Sequence, residues 1–221
     1  MNKVVPTKPL LIMLYGYPGS GKSYVARQLS NHLQAAHVQG DRIRFELFEQ
    51  PRFDKQENAV VTQLMDYMTE EFLNSGISVI YDTNALRAAQ RHNLRDVARR
   101  AHGQSLIIWV QIDNESAFYR TQKRDRRKAD DKYAPTIDRP TFDSVTSHMQ
   151  NPSTIEDYVV ISGKHVFTTQ LSAIMKKLHD MNVIRMDDVG NGVVKPGLVN
   201  RIPNPAAGRV DMSRRRNIII R

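Results

Sequence analysis

The chain has 221 residues, 40% of them hydrophobic and 25% charged. It is long enough for one domain with an appendage and too apolar to be disordered throughout. It has no Cys, which excludes a disulfide scaffold, a thiol nucleophile and any zinc site built on thiolates. A net charge of +9 points towards an anionic partner. That charge is concentrated: residues 120–128 carry +5, while 87–100 and 209–221 carry +4 each, leaving everything else at −4.

Lys3 and Lys8 precede the apolar run Leu10 to Tyr15, which briefly imitates a signal peptide. The run is shorter than a signal core and leads into glycines without a cleavage site. No segment approaches the ~20 apolar residues that span a bilayer. The chain therefore reads as soluble and cytoplasmic, with no membrane partner.

The elements alternate short apolar strands with amphipathic helices, the pattern of a parallel sheet covered on both faces. Leu10–Tyr15 is apolar at every position, as a doubly buried strand should be. A helix follows from Lys22 to about Gln34, then a strand at Ala36–Gln39 ending beside Asp41. A long helix is predicted over Lys55–Asn74, with Val60, Val61, Leu64, Met65, Met68 and Phe72 at helical spacing. Ile77–Tyr81 reads as a strand stopping at Asp82, residues 86–101 as a helix, and Leu106–Ile112 as a strand holding the only Trp, Trp109. A helix begins near Glu115, and a charged, Pro-containing stretch breaks the pattern over 127–140. Tyr158–Ile161 and Thr168–His179 are the last strand and helix. The fold class expected is α/β: three layers, a mostly parallel five-stranded sheet with helices on both faces, and an Arg-rich lid over about 120–142. Residues 1–185 form the domain. Residues 186–221, crowded with Gly and Pro and ending in Arg214–Arg216, read as an extended basic tail.

Gly16-Tyr17-Pro18-Gly19-Ser20-Gly21-Lys22-Ser23 fits GxxxxGK[ST] at every position. Glycine lets such a loop turn tightly and aim backbone N–H groups at phosphate oxygens, and the following helix points its positive end at the same anion. Lys22 would reach the β- and γ-phosphates, and the Ser23 hydroxyl would bind Mg²⁺. The nucleotide contact is expected to run on to Tyr24. ATP and Mg²⁺ are the cofactors this implies.

A phosphate loop alone does not separate a kinase from a motor or a switch. The polar groups at strand ends decide, because ligands of such sheets bind at the carboxyl edge. Asp41 follows the second strand and would accept a proton from a hydroxyl attacking the γ-phosphate, unless it only caps the helix after it. Arg44 lies one helical turn on and would bind an anionic substrate. Asp82 ends an apolar strand, the pattern that sets a carboxylate beside magnesium; a helix cap is the alternative. Its neighbour is Thr83, not the Glu that polarises water in hydrolytic ATPases, which favours transfer to a bound acceptor. Asp113 reads as a cap. Arg120 and Arg124 are four apart and would project from one helix face towards transition-state charge, or else be solvated.

Together, the phosphate loop, Gly40-Asp41-Arg42-Ile43-Arg44, Tyr81-Asp82-Thr83-Asn84 and Arg120/Arg124 resemble the P-loop kinase family containing polynucleotide 5′-hydroxyl kinases. Zeta-toxin-like sugar-nucleotide kinases are more distant relatives. The resemblance covers about residues 9–180. It implies that Asp41 is the general base, Arg44 an acceptor-phosphate ligand and Asp82 a substrate- or metal-side carboxylate. It also implies that Asn84 belongs to the substrate site and that Arg120 and Arg124 are lid arginines. Asn151 to Glu156 and Val159–Gly163 are similar to the family's last strand, whose following loop cradles adenine. No phosphatase domain accompanies the kinase pattern, and the tail matches nothing in it.

The remaining signals are weaker. Arg87, Arg91, Arg95 and Arg99 make a solvated face or a ridge tracking nucleic-acid phosphates. Trp109 reads as core, and the seven His residues show no ligand spacing. The expected activity is ATP-dependent phosphorylation of a hydroxyl, with a DNA or RNA 5′ end favoured as acceptor. A sugar, nucleoside or nucleotide-sugar kinase is the alternative, and a nucleotide-gated nucleic-acid-binding protein is the rival of another class.

Overall fold

The computed structural model describes residues 3–84, 87–125, 127 and 131–185; the expectations for the tail, Arg214–Arg216 included, fall outside them. The chain runs β1 (Leu10–Tyr15), α1 (Lys22–His32), β2 (Ala35–Gln39), α2 (Gly40–Leu47), α3 (Lys55–Asn74), β3 (Ser78–Asn84), α4 (Ala88–Arg100), β4 (Gln104–Gln111), α5 (Asn114–Gln122), α6 (Arg139–Ser147), β5 (Tyr158–Ser162) and α7 (Phe167–Asp180). The five strands pair in the order β2-β3-β1-β4-β5, and every pairing is parallel.

Strand alternation divides the apolar side chains between two cores. Ile12, Leu14 and Ile80 face α1 and α7, where Leu29, Ile174 and Leu178 meet them. Leu11, Met13, Val79 and Tyr81 face α3 and α4, against Val61, Met65, Leu94 and Ala98. Burying each such side chain contributes roughly 1.5–3 kcal/mol, so β1, with all six residues fully buried, anchors both layers. Among the described residues no helix is long and apolar enough to cross a membrane.

Several boundaries differ from the sequence expectation for physical reasons. β3 does not stop at Tyr81 but continues through Asp82 to Asn84, because β2 pairs with it as far as Gln39 opposite Asp82 and β1 pairs Leu14 with Asn84. α6 starts at the end of the stretch 127–140, where a broken pattern was expected, and runs on to Ser147, where no element was expected. Asp138 caps it by accepting from the Thr141 N–H, and Pro140 occupies its first turn, where a missing N–H costs nothing. In α3 the inward stripe is Glu57, Val61, Met65, Thr69 and Leu73, which leaves Val60 exposed.

The arginines of α4 correct the expectation most. Arg91 belongs to neither a solvated face nor a phosphate-tracking ridge. It lies on the inward stripe with Leu94 and Ala98 and is 0% exposed. Its Nε donates to Glu156 Oε1 at 2.8 Å and its Nη1 to the Gln150 carbonyl at 2.9 Å, while the guanidinium stacks on Tyr15. It thereby fastens the loop before β5 to the strand that carries the phosphate loop. Arg87 and Arg99 do face solvent.

Candidate active site

β1 ends directly in the phosphate loop, and its glycines are conformationally required. Gly19 has φ +80°, and a Cβ there would lie 2.2 Å from the Ala117 carbonyl oxygen of α5. Gly21 takes a left-handed φ of +100° where it opens α1. Lys22 Nζ donates to the Gly16 and Tyr17 carbonyls at 2.9 and 2.8 Å, which folds the side chain back over the loop.

One cleft of about 500 Å³ at the carboxyl edge gathers most of the expected residues. Pro18, Gly19, Gly21, Lys22, Ser23 and Tyr24 come from the loop and α1; Asp41 comes from α2, Asp82 and Asn84 from β3, and Arg120 and Arg124 from α5 and just beyond. Gly16 and Tyr17 instead border a separate cavity of about 750 Å³ that also exposes Trp109, so that ring is only partly core. Ser20 borders a smaller space of about 140 Å³ with Gly163, His165 and Phe167.

Asp41 caps nothing. Gln39 is the cap of α2, and Asp41 sits in the first helical turn, at the cleft floor. Burial pushes its carboxyl up to about 6, and the like charge of Asp82 adds to this; Arg124, Arg44 and Lys22 pull the other way. Burial likewise lowers the Lys22 ammonium to about 8, opposed by Asp82 and reinforced by Arg124. Asp82 is no helix cap either. Within β3 its Oδ1 accepts from Ser23 Oγ at 3.1 Å, and its Oδ2 meets His37 Nε2 at 2.9 Å.

Arg44 departs from its expected place. Its guanidinium donates to Glu57 Oε2 at 3.1 Å and to Asn58, lies over the Phe53 ring and is buried, so it does not line the cleft. Arg120 Nη1 donates to the Gly163 carbonyl at 2.9 Å. Arg124 lies past the end of α5, so the two are not on one helix face as their spacing suggested; its Nη1 donates to the Pro135 carbonyl, and both still reach the cleft. Asp113 caps α5, as expected, by accepting from the Ser116 N–H.

Asn84 was foreseen, but its state was not: both amide atoms are buried without a hydrogen-bond partner. His37 is the residue that sequence reasoning missed. Its signal was available in the alternation of β2, where buried Val38 faces one core and forces His37 to the other side.

Ser23 and Asp82 offer two hard oxygens on adjacent elements, and among the described residues no cluster of three His, Cys, Asp or Glu could hold an ion alone. That donor set fits Mg²⁺, which binds through one or two protein oxygens plus phosphates and water. It does not fit a zinc cage.

Residues 11–152, well over half the chain, match the family model described as AAA domain. The chain belongs to that family. No curated protein sequence matches it. Among solved structures, this AAA domain is similar to a gluconokinase from Sinorhizobium meliloti (14% identity, TM-score 0.56, covering 79% of this chain and 93% of that one). It is similar to Kti12 of Chaetomium thermophilum in complex with ADP-AlF3 (18%, 0.60, 79% and 99%). It is also similar to the APS kinase of Mycobacterium tuberculosis in complex with AMPPNP and APS (19%, 0.55, 79% and 99%). At these identities the likeness shows the fold, a P-loop kinase-like α/β fold.

Proposed function

We propose that the chain is an ATP- and Mg²⁺-dependent phosphotransferase acting on a hydroxyl acceptor. The observation that carries this is the cleft in which Lys22, Ser23, Asp41, Asp82 and Arg124 converge. Lys22 leaves its loop carbonyls for the β- and γ-phosphates. Ser23 and Asp82 hold Mg²⁺, which when bound neutralises phosphate charge. Asp41, with its carboxyl near pH 6, takes the acceptor's proton as that oxygen bonds to the γ-phosphorus and the bond to ADP breaks. Arg120 and Arg124 stabilise charge on the transferring oxygens, the stretch from Arg120 through residue 142 acting as a lid. The loop after β5, bordering the space beside Ser20, receives adenine.

The acceptor we favour is a small hydroxyl-bearing molecule. Two supports for a nucleic-acid 5′ end fall away once Arg44 and Arg91 are seen in internal ion pairs. Gluconokinase and APS kinase among the similar structures support a small acceptor. A 5′-hydroxyl end is the second reading, favoured by Lys123 at the cleft and exposed Arg127 just beyond Arg124. Radiolabelled ATP incubated with sugars, nucleosides and 5′-hydroxyl oligonucleotides separates the two. Asp41→Asn should cut labelling steeply while ATP binding persists; unchanged transfer by that variant would refute Asp41 as the base, and a wild type that labels no acceptor would leave a nucleotide-gated binding protein.

A further inference from the structure

His37 is tied to the metal-side carboxylate by the sheet itself. In the β2–β3 register His37 stands opposite Ile80 and Gln39 opposite Asp82. Val38 is buried with the α3 and α4 core, whereas Ile80 is buried with the α1 and α7 core. Period-two alternation therefore puts His37 and Asp82 diagonally on one face, the face from which α1 presents Ser23.

The three side chains form a chain of contacts. His37 Nε2 is 2.9 Å from Asp82 Oδ2, and Ser23 Oγ is 3.1 Å from Asp82 Oδ1. A carboxylate oxygen only accepts, so Nε2 carries the proton in this pair. The Asp82 side chain is 3% exposed and that of His37 22%, so water does little to hold the carboxylate. Without a partner, Oδ2 would be a buried acceptor left unsatisfied, and the carboxylate plane would be free to turn about a broad torsion.

We infer that His37 is a positioning residue for Mg²⁺ binding: by fixing Asp82 Oδ2 it keeps Oδ1 turned towards Ser23 Oγ, the pair of oxygens that would hold the ion. The inference rests on the reading that Ser23 and Asp82 hold Mg²⁺, and it assigns His37 no contact with substrate or metal. A partner that orients a metal ligand typically changes affinity by about 10- to 100-fold when removed. Asp82 has Lys22 and Asp41 as its other charged neighbours, and neither supplies the hydrogen bond at Oδ2.

The test uses the full chain and the non-transferring nucleotide AMPPNP, with calorimetric binding measured in EDTA and at graded Mg²⁺. His37→Leu should raise the Mg²⁺ concentration needed for the half-maximal gain in nucleotide affinity by about 10- to 100-fold. Affinity in EDTA should stay as in the wild type, which also reports that the variant is folded. His37→Gln, whose amide can donate to Oδ2, should recover most of the loss. Asp82→Asn is the reference. If it shifts the Mg²⁺ requirement and His37→Leu does not, the role of His37 is overturned and the metal site stands. If neither shifts it, the metal reading itself falls. If His37→Leu weakens binding equally in EDTA, the residue merely supports the loop and the inference is overturned.

Discussion

Helix α4 and the segment of α5 with the turn after it carry arginines at the same four-residue spacing, yet the two sets end in opposite physical situations. In α4, Arg91 shares the inward stripe with Leu94 and Ala98 and is enclosed by Glu156 and the carbonyls of residues 150 and 151. In α5 and the turn after it, the hydrogen bonds of Arg120 and Arg124 among the described residues go to backbone carbonyls, at Gly163 and Pro135, and both line the cleft. A guanidinium matched to a carboxylate is committed to holding the fold. One hydrogen-bonded to carbonyl oxygens lacks a matched carboxylate and stays available to an anion, even where, as at Arg124, Asp41 and Asp131 lie near enough to act on it. Arg44, paired with Glu57, belongs with Arg91 in this respect even though it is a near neighbour of Asp41.

The largest effect should come from the cleft floor. Asp41→Asn is expected to lower turnover by about 10²- to 10⁴-fold, the range for removing a general base. In the wild type, kcat/KM should rise with pH through about 6 as Asp41 ionises and fall above about 8 as Lys22 loses its proton. A flat profile between those values and beyond would count against both roles.

On the other side of the comparison, Arg91→Met leaves Glu156 buried without its partner. It should cost about 3–5 kcal/mol in urea unfolding, with Arg91→Met/Glu156→Leu recovering much of that. Arg124→Ala should do the reverse, losing about 10²- to 10³-fold in turnover with little change in the urea midpoint. If Arg124→Ala unfolds the domain while Arg91→Met only slows it, the contrast between the two sets is wrong.

A smaller effect concerns Asp41 in the unliganded protein. Its folded value lies above the ordinary carboxylate value, so the stability contributed by the protonated form is full below about pH 4 and lost as pH rises through about 6. Asp41→Asn should therefore be more stable than wild type at pH 8, by about 1–3 kcal/mol. The two should converge at pH 4 in urea titrations. Smallest of all, Arg99→Ala removes an exposed ion pair with Asp96 and should change stability by less than about 0.5 kcal/mol.

Local chemistry made much of this molecule legible. The phosphate loop is a contiguous motif, and each described strand and helix it predicts is present because apolar periodicity is a local signal. Asp41 and Asp82 could be placed because strand ends in a parallel sheet share one edge, and Asn84 by the family resemblance. Where reasoning by periodicity alone failed, a partner distant in sequence was responsible. β3 runs on to Asn84 because β2 pairs with it at Asp82 and β1 at Asn84. Arg44 leaves the cleft because Glu57, thirteen residues on, is buried beside it. Asp138 and Pro140 announced α6, but the surrounding charges masked them.

By itself, then, the sequence determined the α/β sheet, the phosphate loop and the carboxylates at its edge, since these depend on residue type and short-range spacing. Only the tertiary structure decided which basic residues serve the cleft. A basic side chain's role depends on the nearest buried acceptor, and that acceptor can come from anywhere in the chain: Glu156 for Arg91, Glu57 for Arg44, the Asp82 carboxylate for His37. The net charge of +9 therefore predicts no partner. Among the described residues, part of it is neutralised inside the fold, and another part, at Arg120 and Arg124, opens onto the site.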